Sequence, residues 1–202
     1  KKLLQIVVEH YRPSKLIVFS RDELKQYEMA QKWDPRRLPF LQYILGDIRD
    51  TDRLDHAFQG VDYVIHAAAL KDISVAEYNP REALLTNTMG TQNVIEAAID
   101  CGVSKVVLIS TDKAAYPGNL YGSTKLCAEK LFVAANSYAG EKTQFSVVRY
   151  GNVLGSRGSI VDTLLKNRKS GKVKITHEDM TRFWISLKEA CQLVVFALDN
   201  ME

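Results

Sequence analysis

Residues 105–125 read KVVLISTDKAAYPGNLYGSTK, an apolar run that ends in two hydroxyl residues and leads into a segment of helical period. The run at 105–109 is rich in β-branched residues, which is typical of a strand buried on both faces of a sheet. A helix is expected at 121–138. A buried strand followed at once by a helix is the repeating unit of a parallel α/β fold.

The same unit recurs on both sides of this stretch. Apolar runs predict strands at 16–19, 42–45, 63–67 and 145–149, and helical periods predict helices at 21–33, near 51–59, at 81–101 and at 159–169. A short strand at 173–176 and a last helix at 187–198 are expected near the end. This order predicts a doubly wound, Rossmann-like α/β fold with a mainly parallel sheet and helices on both faces.

The beginning of the chain departs from this pattern. Its apolar residues at 3, 4, 7, 8 and 11 predict a helix, whereas a doubly wound nucleotide fold normally opens with a central strand and a Gly-rich turn. Gly151, Gly155 and Gly158 have the wrong spacing for that turn. We therefore expect the 202 residues to come from a longer polypeptide that supplies both features. Without the Gly-rich turn, which binds a pyrophosphate, we expect catalysis to fail.

Composition indicates a globular chain, since 46% of its residues are hydrophobic and 25% are charged. The basic run at 166–174 lacks interleaved aromatic residues, so a nucleic-acid partner is not expected. Three scattered cysteines favour a reducing, cytoplasmic setting, and four histidines without ligand spacing give no reason to expect a metal site. We find no apolar run long enough to span a membrane and expect no membrane partner.

Residues at the ends of the predicted strands suggest a dinucleotide site. Ser20 and Arg21 follow the first strand, where a guanidinium suits a 2′-phosphate and therefore favours NADP over NAD. The alternative is that Arg21 only opens a surface helix. Gly46 and Asp47 form a turn whose carboxylate can reach an adenine amino group, although Gly-Asp alone indicates only a turn. The small residues of HAAA, 66–69, suit a cofactor lying across the sheet edge, and close helix packing requires the same.

Tyr121 and Lys125 lie one helical turn apart and share a face of the predicted helix. An ammonium group lowers the pKa of a neighbouring phenol, which ordinarily titrates near about pH 10, and so makes it a usable general base. The pair alone is a weak signal. Its position after a strand that ends in Ser110 and Thr111 strengthens it, because hydroxyls there can hold a substrate alcohol during oxidation.

Asp112 and Lys113 need a separate role, because the oxidation already has its base. A ketone acidifies the neighbouring C–H, so a neutral amine can remove that proton while a protonated carboxyl donates to a departing hydroxyl. The pair therefore suits elimination. Without the tyrosine nearby, a surface ion pair is the preferred interpretation.

A series of motifs identifies a family. SRDELKQ, GDIRD, HAAALK, AEYNP, NTMGTQNVIEAA, STDKAA, NLYGSTK, FSVVRYGNVLGSRGS and MTRFWI occur in this order. Together they closely resemble the extended short-chain dehydrogenase/reductase family, in particular its inverting UDP-N-acetylglucosamine 4,6-dehydratases of bacterial surface-polysaccharide and flagellin-glycan biosynthesis. Asp-Lys after the threonine resembles the inverting branch, since related enzymes that retain configuration usually have Asp-Glu. The family's first strand, glycine loop and most of its C-terminal substrate region have no counterpart here.

The resemblance implies a role for each matching residue. Tyr121 would deprotonate the C4 hydroxyl, with Lys125 lowering the pKa of that tyrosine and holding the nicotinamide ribose, while Thr111 hydrogen-bonds the same hydroxyl. Lys113 would take the C5 proton, and Asp112 would assist loss of the C6 hydroxyl as water. The hydride would then return to C6, so that NADP acts as a bound catalyst.

The remaining expected contacts divide into two groups. The cofactor-binding residues would be Ser20, Arg21, Lys25, Asp47, Ile48, Ala67, Ala68, Lys71, Asn87, Tyr121 and Lys125. The substrate-binding residues would be Lys71, Asn152, Arg157 and Arg182, with the arginines facing phosphate. Residues 1–170 would form the NADP-binding domain, incomplete at its start, and residues 171–202 would begin the substrate-binding region. The family also implies self-association into a homo-oligomer.

Two departures border the expected pocket and leave the exact sugar open. KDIS at 71–74 stands where the family usually has KHVP, and Tyr116 replaces what is often a small polar residue. Two alternative functions also remain. A UDP-sugar 4-epimerase needs Tyr121 and Lys125 but gives Asp112 and Lys113 nothing to do. A non-catalytic NADP-binding protein has no reason to hold these groups together.

Overall fold

The structure is a computed structural model that describes residues 1–156, 161, 164–165, 168–171 and 177–201. Its strands are β1 (Leu16–Ser20), β2 (Leu41–Leu45), β3 (Tyr63–His66), β4 (Lys105–Thr111), β5 (Gln144–Tyr150), β6 (Asn152–Val153) and β7 (Trp184–Ile185). Its helices are α1 (Lys2–His10), α2 (Glu23–Lys32), α3 (Thr51–Phe58), α4 (Ile73–Tyr78), α5 (Pro80–Leu84), α6 (Gly90–Asp100), α7 (Leu120–Ala135) and α8 (Leu187–Asp199). A π-helical turn spans Leu85–Met89, and 3₁₀ turns span Asp112–Ala114 and Arg168–Ser170.

Every strand pairing in the described residues is parallel. β1 pairs with β2, β3 and β5 flank β4, and β6 pairs with β7. Helices follow β1, β2, β3 and β4 along the chain, as a doubly wound sheet requires. The predicted α/β fold class is confirmed.

β4 lies at the centre of the core. Val106 and Leu108 pack on one face with residues of α3, α6 and α7, whereas Val107 packs on the other face with Val194 of α8. This alternation follows from the two-residue period of a strand, and all three side chains are fully buried. Burial on both faces explains the continuous apolar run of the sequence and fixes the end of β4 in place.

A cavity of about 500 Å³ separates β1 from β3. Both strands line it along their whole length, together with residues of α2 and α3, and no hydrogen bond joins β1 to β3 in the described structure. The cavity therefore takes the place at which a doubly wound sheet has its central strand. The expectation of a longer polypeptide stays a prediction.

Two helical predictions need correction. The single helix expected at 81–101 is divided by the π-helical turn into α5 and α6. Helix α4 was not predicted, because Ile73 and Val75 are β-branched, yet the Asp72 carboxylate accepts a hydrogen bond from Val75 N at 3.0 Å and caps the helix. The predicted strand at 173–176 and most of the predicted helix at 159–169 lie outside the described residues.

No helix in the described part of the chain combines the length and the apolar character that crossing a membrane requires.

Candidate active site

The connection between β4 and α7 carries the polar residues singled out in the sequence. Thr111 is the last residue of β4, and Asp112 and Lys113 form the 3₁₀ turn that follows. Asn119 caps α7, because its Oδ1 accepts a hydrogen bond from Gly122 N at 2.9 Å. The cap starts the helix at Leu120 and places Tyr121 in its first turn.

Gly122 allows α7 to approach the 3₁₀ turn closely. A Cβ atom at this position would lie 2.2 Å from the carbonyl oxygen of Lys113, a distance that no side chain can occupy. The backbone of α7 and the turn that carries Lys113 are therefore in direct contact. This contact sets the position of Tyr121 relative to the Asp112–Lys113 pair.

Asp112 and Lys113 form an ion pair at the rim of the sheet. Lys113 Nζ donates to Asp112 Oδ1 at 3.0 Å and to Asn152 Oδ1 at 3.0 Å, and Thr111 Oγ1 also donates to Asp112 Oδ1 at 3.0 Å. The aspartate and lysine side chains are 25% and 32% exposed. The pair is thus a half-buried, hydrogen-bonded group and differs from the surface ion pair considered as the alternative.

Tyr121 has a different pKa from the one that the sequence suggests. Burial raises the pKa of its phenol above the ordinary value, the Thr111 hydroxyl partly offsets this, and the charge of Asp112 raises it further. Lys125 is not among the groups that shift it. The structure therefore does not show the expected lowering of the pKa of Tyr121, because desolvation of the phenol outweighs the other effects.

Among the residues that the structure describes, Lys125 is the largest fully buried side chain, with 1% of its surface exposed. Burial lowers the pKa of its ammonium to about 8, and the charge of Glu129 acts in the opposite direction. No described group accepts a hydrogen bond from its Nζ. A buried ammonium without an acceptor is costly, so this atom is suited to bind a ligand that brings oxygen atoms.

Asn87 occupies the π-helical turn, where its side chain is buried. Its Oδ1 accepts from Leu70 N at 2.7 Å, and its Nδ2 donates to Leu70 O and to Thr124 Oγ1, each at 3.0 Å. The amide joins the loop after β3 to α7, beside Lys125. These bonds give Asn87 a positioning role for the loop that contains Ala67 and Ala68.

Most of the residues expected to bind the cofactor border the central cavity. They are Ser20, Arg21, Lys25, Asp47, Ile48, Ala67 and Ala68. Arg21 Nη1 donates to Asp47 Oδ2 at 3.1 Å, and Arg49 makes three further hydrogen bonds to the same carboxylate, two from its guanidinium and one from its backbone N–H. These arginines lower the pKa of Asp47 to about 2, with Arg49 contributing most. Asp47 is therefore a charged acceptor at this end of the cavity.

Two other predicted residues, Lys71 and Arg182, lie away from the centre of the cluster. Lys71 is exposed in the loop before α4. Arg182 is exposed before β7, and its Nη1 donates to Thr181 O at 2.6 Å. Arg157 lies outside the described residues. Of the predicted substrate contacts, the structure brings Asn152 to Lys113.

Sequence reasoning missed Glu129, although its signal was present. Glu129 follows Lys125 by four residues, just as Lys125 follows Tyr121, so all three share one face of α7. Its carboxylate is buried and accepts a hydrogen bond from Ser110 Oγ.

Comparison with known proteins shows the family to which the chain belongs. The family described as "Polysaccharide biosynthesis protein" matches residues 1–202. The chain belongs to this family. The chain is 51% identical over 205 aligned residues to a UDP-N-acetylglucosamine 4,6-dehydratase (inverting) from Campylobacter jejuni, covering all of the chain and 60% of that relative. It is also 44% identical over 185 residues to a UDP-glucose 4-epimerase from Rickettsia conorii, covering 91% of the chain and 53% of that relative.

Solved structures agree with this assignment. The structure of Pen from Bacillus thuringiensis superposes with a TM-score of 0.93 at 42% identity, covering all of the present chain and 64% of that chain. A dTDP-glucose 4,6-dehydratase from Streptomyces venezuelae with NAD bound superposes with a TM-score of 0.83 at 21% identity, covering 98% and 67%. The second likeness shows the fold. The resemblance seen in the sequence is confirmed, and the chain spans about three fifths of the length of its Campylobacter relative.

Proposed function

We propose that the protein containing this chain is an NADP-dependent UDP-N-acetylglucosamine 4,6-dehydratase, a hydro-lyase that inverts C5. The observation that carries the proposal is the hydrogen-bonded group of Thr111, Asp112, Lys113 and Asn152 beside the first turn of α7. Alcohol oxidation alone does not need an acid and an amine in contact, whereas elimination needs both. The 51% identity to an inverting dehydratase supports the same reaction.

The residues present fit a nicotinamide dinucleotide. Lys125 offers a buried ammonium without an acceptor, which suits ribose hydroxyls, and the small side chains of Ala67 and Ala68 leave room at the cavity mouth. Ser20 and Arg21 stand where they can contact a 2′-phosphate, which favours NADP over NAD. When bound, the cofactor supplies the hydride acceptor at the start of the reaction and the hydride donor at its end.

In this proposal Tyr121 removes the proton of the C4 hydroxyl while Thr111 hydrogen-bonds that oxygen. Since burial raises the pKa of Tyr121 in the structure, its phenolate needs nearby positive charge to form at neutral pH. Lys125 provides that charge only in its ammonium form. Activity is therefore expected to require a protonated Lys125 together with a deprotonated Tyr121.

Elimination uses the pair on the neighbouring turn. Transfer of one proton from Lys113 Nζ to Asp112 Oδ1, across their 3.0 Å hydrogen bond, yields a neutral amine and a carboxylic acid. The amine takes the C5 proton that the C4 ketone has acidified, and the acid protonates the C6 hydroxyl as it leaves as water. Addition of a hydride at C6 and of a solvent proton at C5, on the face opposite to the one that lost its proton, completes a reaction with no net oxidation. Tyr121 then releases the proton that it took from the C4 hydroxyl.

Further assignments complete the proposal. Asn87 keeps the loop at Ala67 and Ala68 in place, while Lys71, Asn152, Arg157 and Arg182 contact the UDP-sugar. Residues 1–170 bind NADP, and residues 171–202 begin the substrate-binding region. The protein acts in the cytoplasm as a homo-oligomer and serves bacterial surface-polysaccharide or flagellin-glycan synthesis.

A 4-epimerase is the second candidate, because epimerases are among the relatives at 44% identity. Tyr121 and Lys125 suffice for reversible oxidation at C4, but the Asp112–Lys113 pair then has no chemical role. A non-catalytic NADP-binding protein is the third candidate. It gives no role to the Tyr121–Lys125 pair or to the Asp112–Lys113 pair.

The test incubates the full-length protein with UDP-N-acetylglucosamine and NADP in deuterated water. We expect a product that has lost one water, with solvent deuterium at C5, and no product from Tyr121→Phe. Tyr138→Phe, which changes an exposed tyrosine in the turn after α7, is the control and should keep activity. A product with the mass of the substrate and no deuterium would support the epimerase, and a Tyr121→Phe protein with undiminished activity would refute the catalytic role.

A further inference from the structure

Helix α7 presents a third ionisable residue behind the two proposed for catalysis. Tyr121, Lys125 and Glu129 follow one another at intervals of four and therefore lie on one face of the helix. Tyr121 is partly exposed, whereas Lys125 and Glu129 are both buried, with 1% and 7% of their surfaces exposed. Nothing in the proposed reaction uses Glu129 directly, because it lies behind the lysine and away from the rim.

Glu129 is fixed by groups from two strands. Ser110 Oγ at the end of β4 donates to its Oε1, and Arg149 of β5 donates from Nε to the same oxygen at 3.1 Å and from Nη2 to Oε2. A fork of guanidinium donors on a carboxylate is the strongest common ion-pair geometry in proteins. The carboxylate thus has a fixed position and a partner that shares its charge.

The charges around Lys125 come from several elements. Glu129 on its own helix attracts the ammonium. Arg149 of β5 forms an ion pair with Glu129, and a cation there is expected to weaken that attraction. From β3, His66 faces the same ammonium, and burial together with the Lys125 charge lowers the pKa of His66 to about 3, so the imidazole is neutral at neutral pH. Tyr121 and Asp112 lie toward the rim. Glu129 is the group identified as opposing the loss of the ammonium's proton.

We propose that Glu129 is a positioning residue that holds Lys125 in its charged form, with Arg149 setting how much of the carboxylate's charge the lysine experiences. Its catalytic consequence rests on the proposed function, in which the Lys125 ammonium makes the Tyr121 phenolate accessible. Glu129 touches neither sugar nor cofactor in this arrangement. It acts through the lysine one helical turn away.

The test measures the titration of Lys125 directly in the full-length protein. Lysine labelled with ¹³C at Cε is incorporated, and the Lys125 resonance is assigned by its loss in Lys125→Met. We expect Glu129→Gln to lower the pKa of Lys125 by about one unit, because an opposite charge nearby is removed while Arg149 remains. Glu96→Gln, which neutralises an exposed carboxylate on α6, is the control and should leave the titration unchanged.

A second variant separates this electrostatic role from a structural one. Arg149→Gln removes the cation that shares the carboxylate's charge, so we expect the pKa of Lys125 to rise, opposite to its direction in Glu129→Gln. If Glu129 had a purely structural role, the two substitutions would not shift the pKa of Lys125 in opposite directions. This variant also keeps the proposal testable if Glu129→Gln does not fold, since Arg149 is 44% exposed. An unchanged or lowered pKa of Lys125 in Arg149→Gln would overturn the proposal, as would an unchanged value in Glu129→Gln.

The pH profile provides the functional readout. In Glu129→Gln we expect the alkaline limb of kcat/KM to move to lower pH, because the ammonium is lost earlier, and we expect Glu129→Asp to restore it in part. A wild-type protein without dehydratase activity would refute the proposed function, while the Lys125 titration would still decide the role of Glu129.

Discussion

At the scale of single residues, the contact between Lys113 and Asp112 distinguishes dehydration from simple alcohol oxidation. The ammonium also bonds Asn152, so the amine has a defined position before any proton moves. If it removes the C5 proton, Lys113→Met should lower the rate of water loss by about 10²- to 10⁴-fold, the usual contribution of a general base. The oxidation at C4 should still occur, since Tyr121 and Lys125 are intact.

The measurement is single-turnover analysis of the full-length protein, in which nicotinamide absorbance reports C4 oxidation and product mass reports water loss. Lys142→Met removes an exposed lysine after α7 and is the matched control. If Lys113→Met loses water at the wild-type rate, Lys113 is not the base.

Single residues also show where sequence reasoning reaches its limit. The spacing of Tyr121 and Lys125 is local, so it predicts a shared helix face without knowledge of the fold. The direction of the shift in the pKa of Tyr121 was not predictable, because it depends on burial created by the surrounding elements. The same holds for Arg149 and Glu129, which are 20 residues apart and meet only when β5 packs beside α7.

At the scale of elements, the contact between α7 and the 3₁₀ turn determines the geometry of the site. A Cβ at Gly122 would overlap the Lys113 carbonyl, so Gly122→Ala must push the turn and the helix apart. We expect a loss of about 1–3 kcal/mol in the free energy of unfolding, as for other overpacked sites, and a loss of activity larger than stability alone explains. Thermal unfolding and kcat measure the two effects.

Gly118→Ala is the control, because a Cβ at that neighbouring glycine meets nothing within 4 Å. Both substitutions add one methyl group, but Gly118 lies in the loop and Gly122 in the first turn of α7, where alanine is favoured over glycine. A loss of stability at Gly122 alone would therefore come from the close approach to Lys113 and Pro117. If the two variants match in stability and activity, the close approach at Gly122 does not matter to the site.

The elements that the sequence did not predict have two physical causes, one local and one distant in sequence. Helix α4 contains β-branched residues that favour strands, and its Asp72 cap outweighs that preference. The π-helical turn arises where Asn87 reaches across to Leu70 and Thr124, partners far away in sequence. The periodicity of a short segment does not reveal such contacts. The buried strands were predictable, because their apolar runs do not depend on a particular partner.

At the scale of the whole molecule, His66 makes the stability of the fold depend on pH. Its Nε2 lies 3.0 Å from Thr91 Oγ1, whose hydroxyl already donates to Asn87 O, so the imidazole must donate from Nε2. Burial lowers the pKa of His66 from 6.5 to about 3, so the unfolded chain takes up this proton first as the pH falls. Stability should therefore be highest above pH 6.5 and should fall by on the order of 4 kcal/mol toward pH 3 from this group.

Denaturant unfolding of the full-length protein at several pH values measures this loss. His66→Gln keeps a hydrogen-bonding group for Thr91 without the titration, and it should flatten the curve between pH 6.5 and about pH 4.5. His10→Gln replaces an exposed histidine and should leave the slope as it is. A His66→Gln protein with the wild-type slope would place the acid sensitivity elsewhere.

The molecular plan was largely readable from the order of strands and helices, because a parallel sheet with helical connections follows from that order. The cavity between β1 and β3 was anticipated only as an expectation that a central strand lies beyond these residues. The pairing of β6 with β7 could not be predicted, since strands of two residues are too short to show an alternating apolar pattern. These features depend on the packing of distant segments.

The proposed dehydratase reaction is tested most directly by following the hydrogen atom at C4 of the substrate. UDP-N-acetylglucosamine carrying deuterium at C4 is converted by the full-length protein, and the product is analysed by NMR. Oxidation at C4, water loss and hydride return predict that the deuterium moves to C6 of a 4-keto product. Deuterium that remains at C4 of an intact sugar would contradict the account and indicate epimerisation.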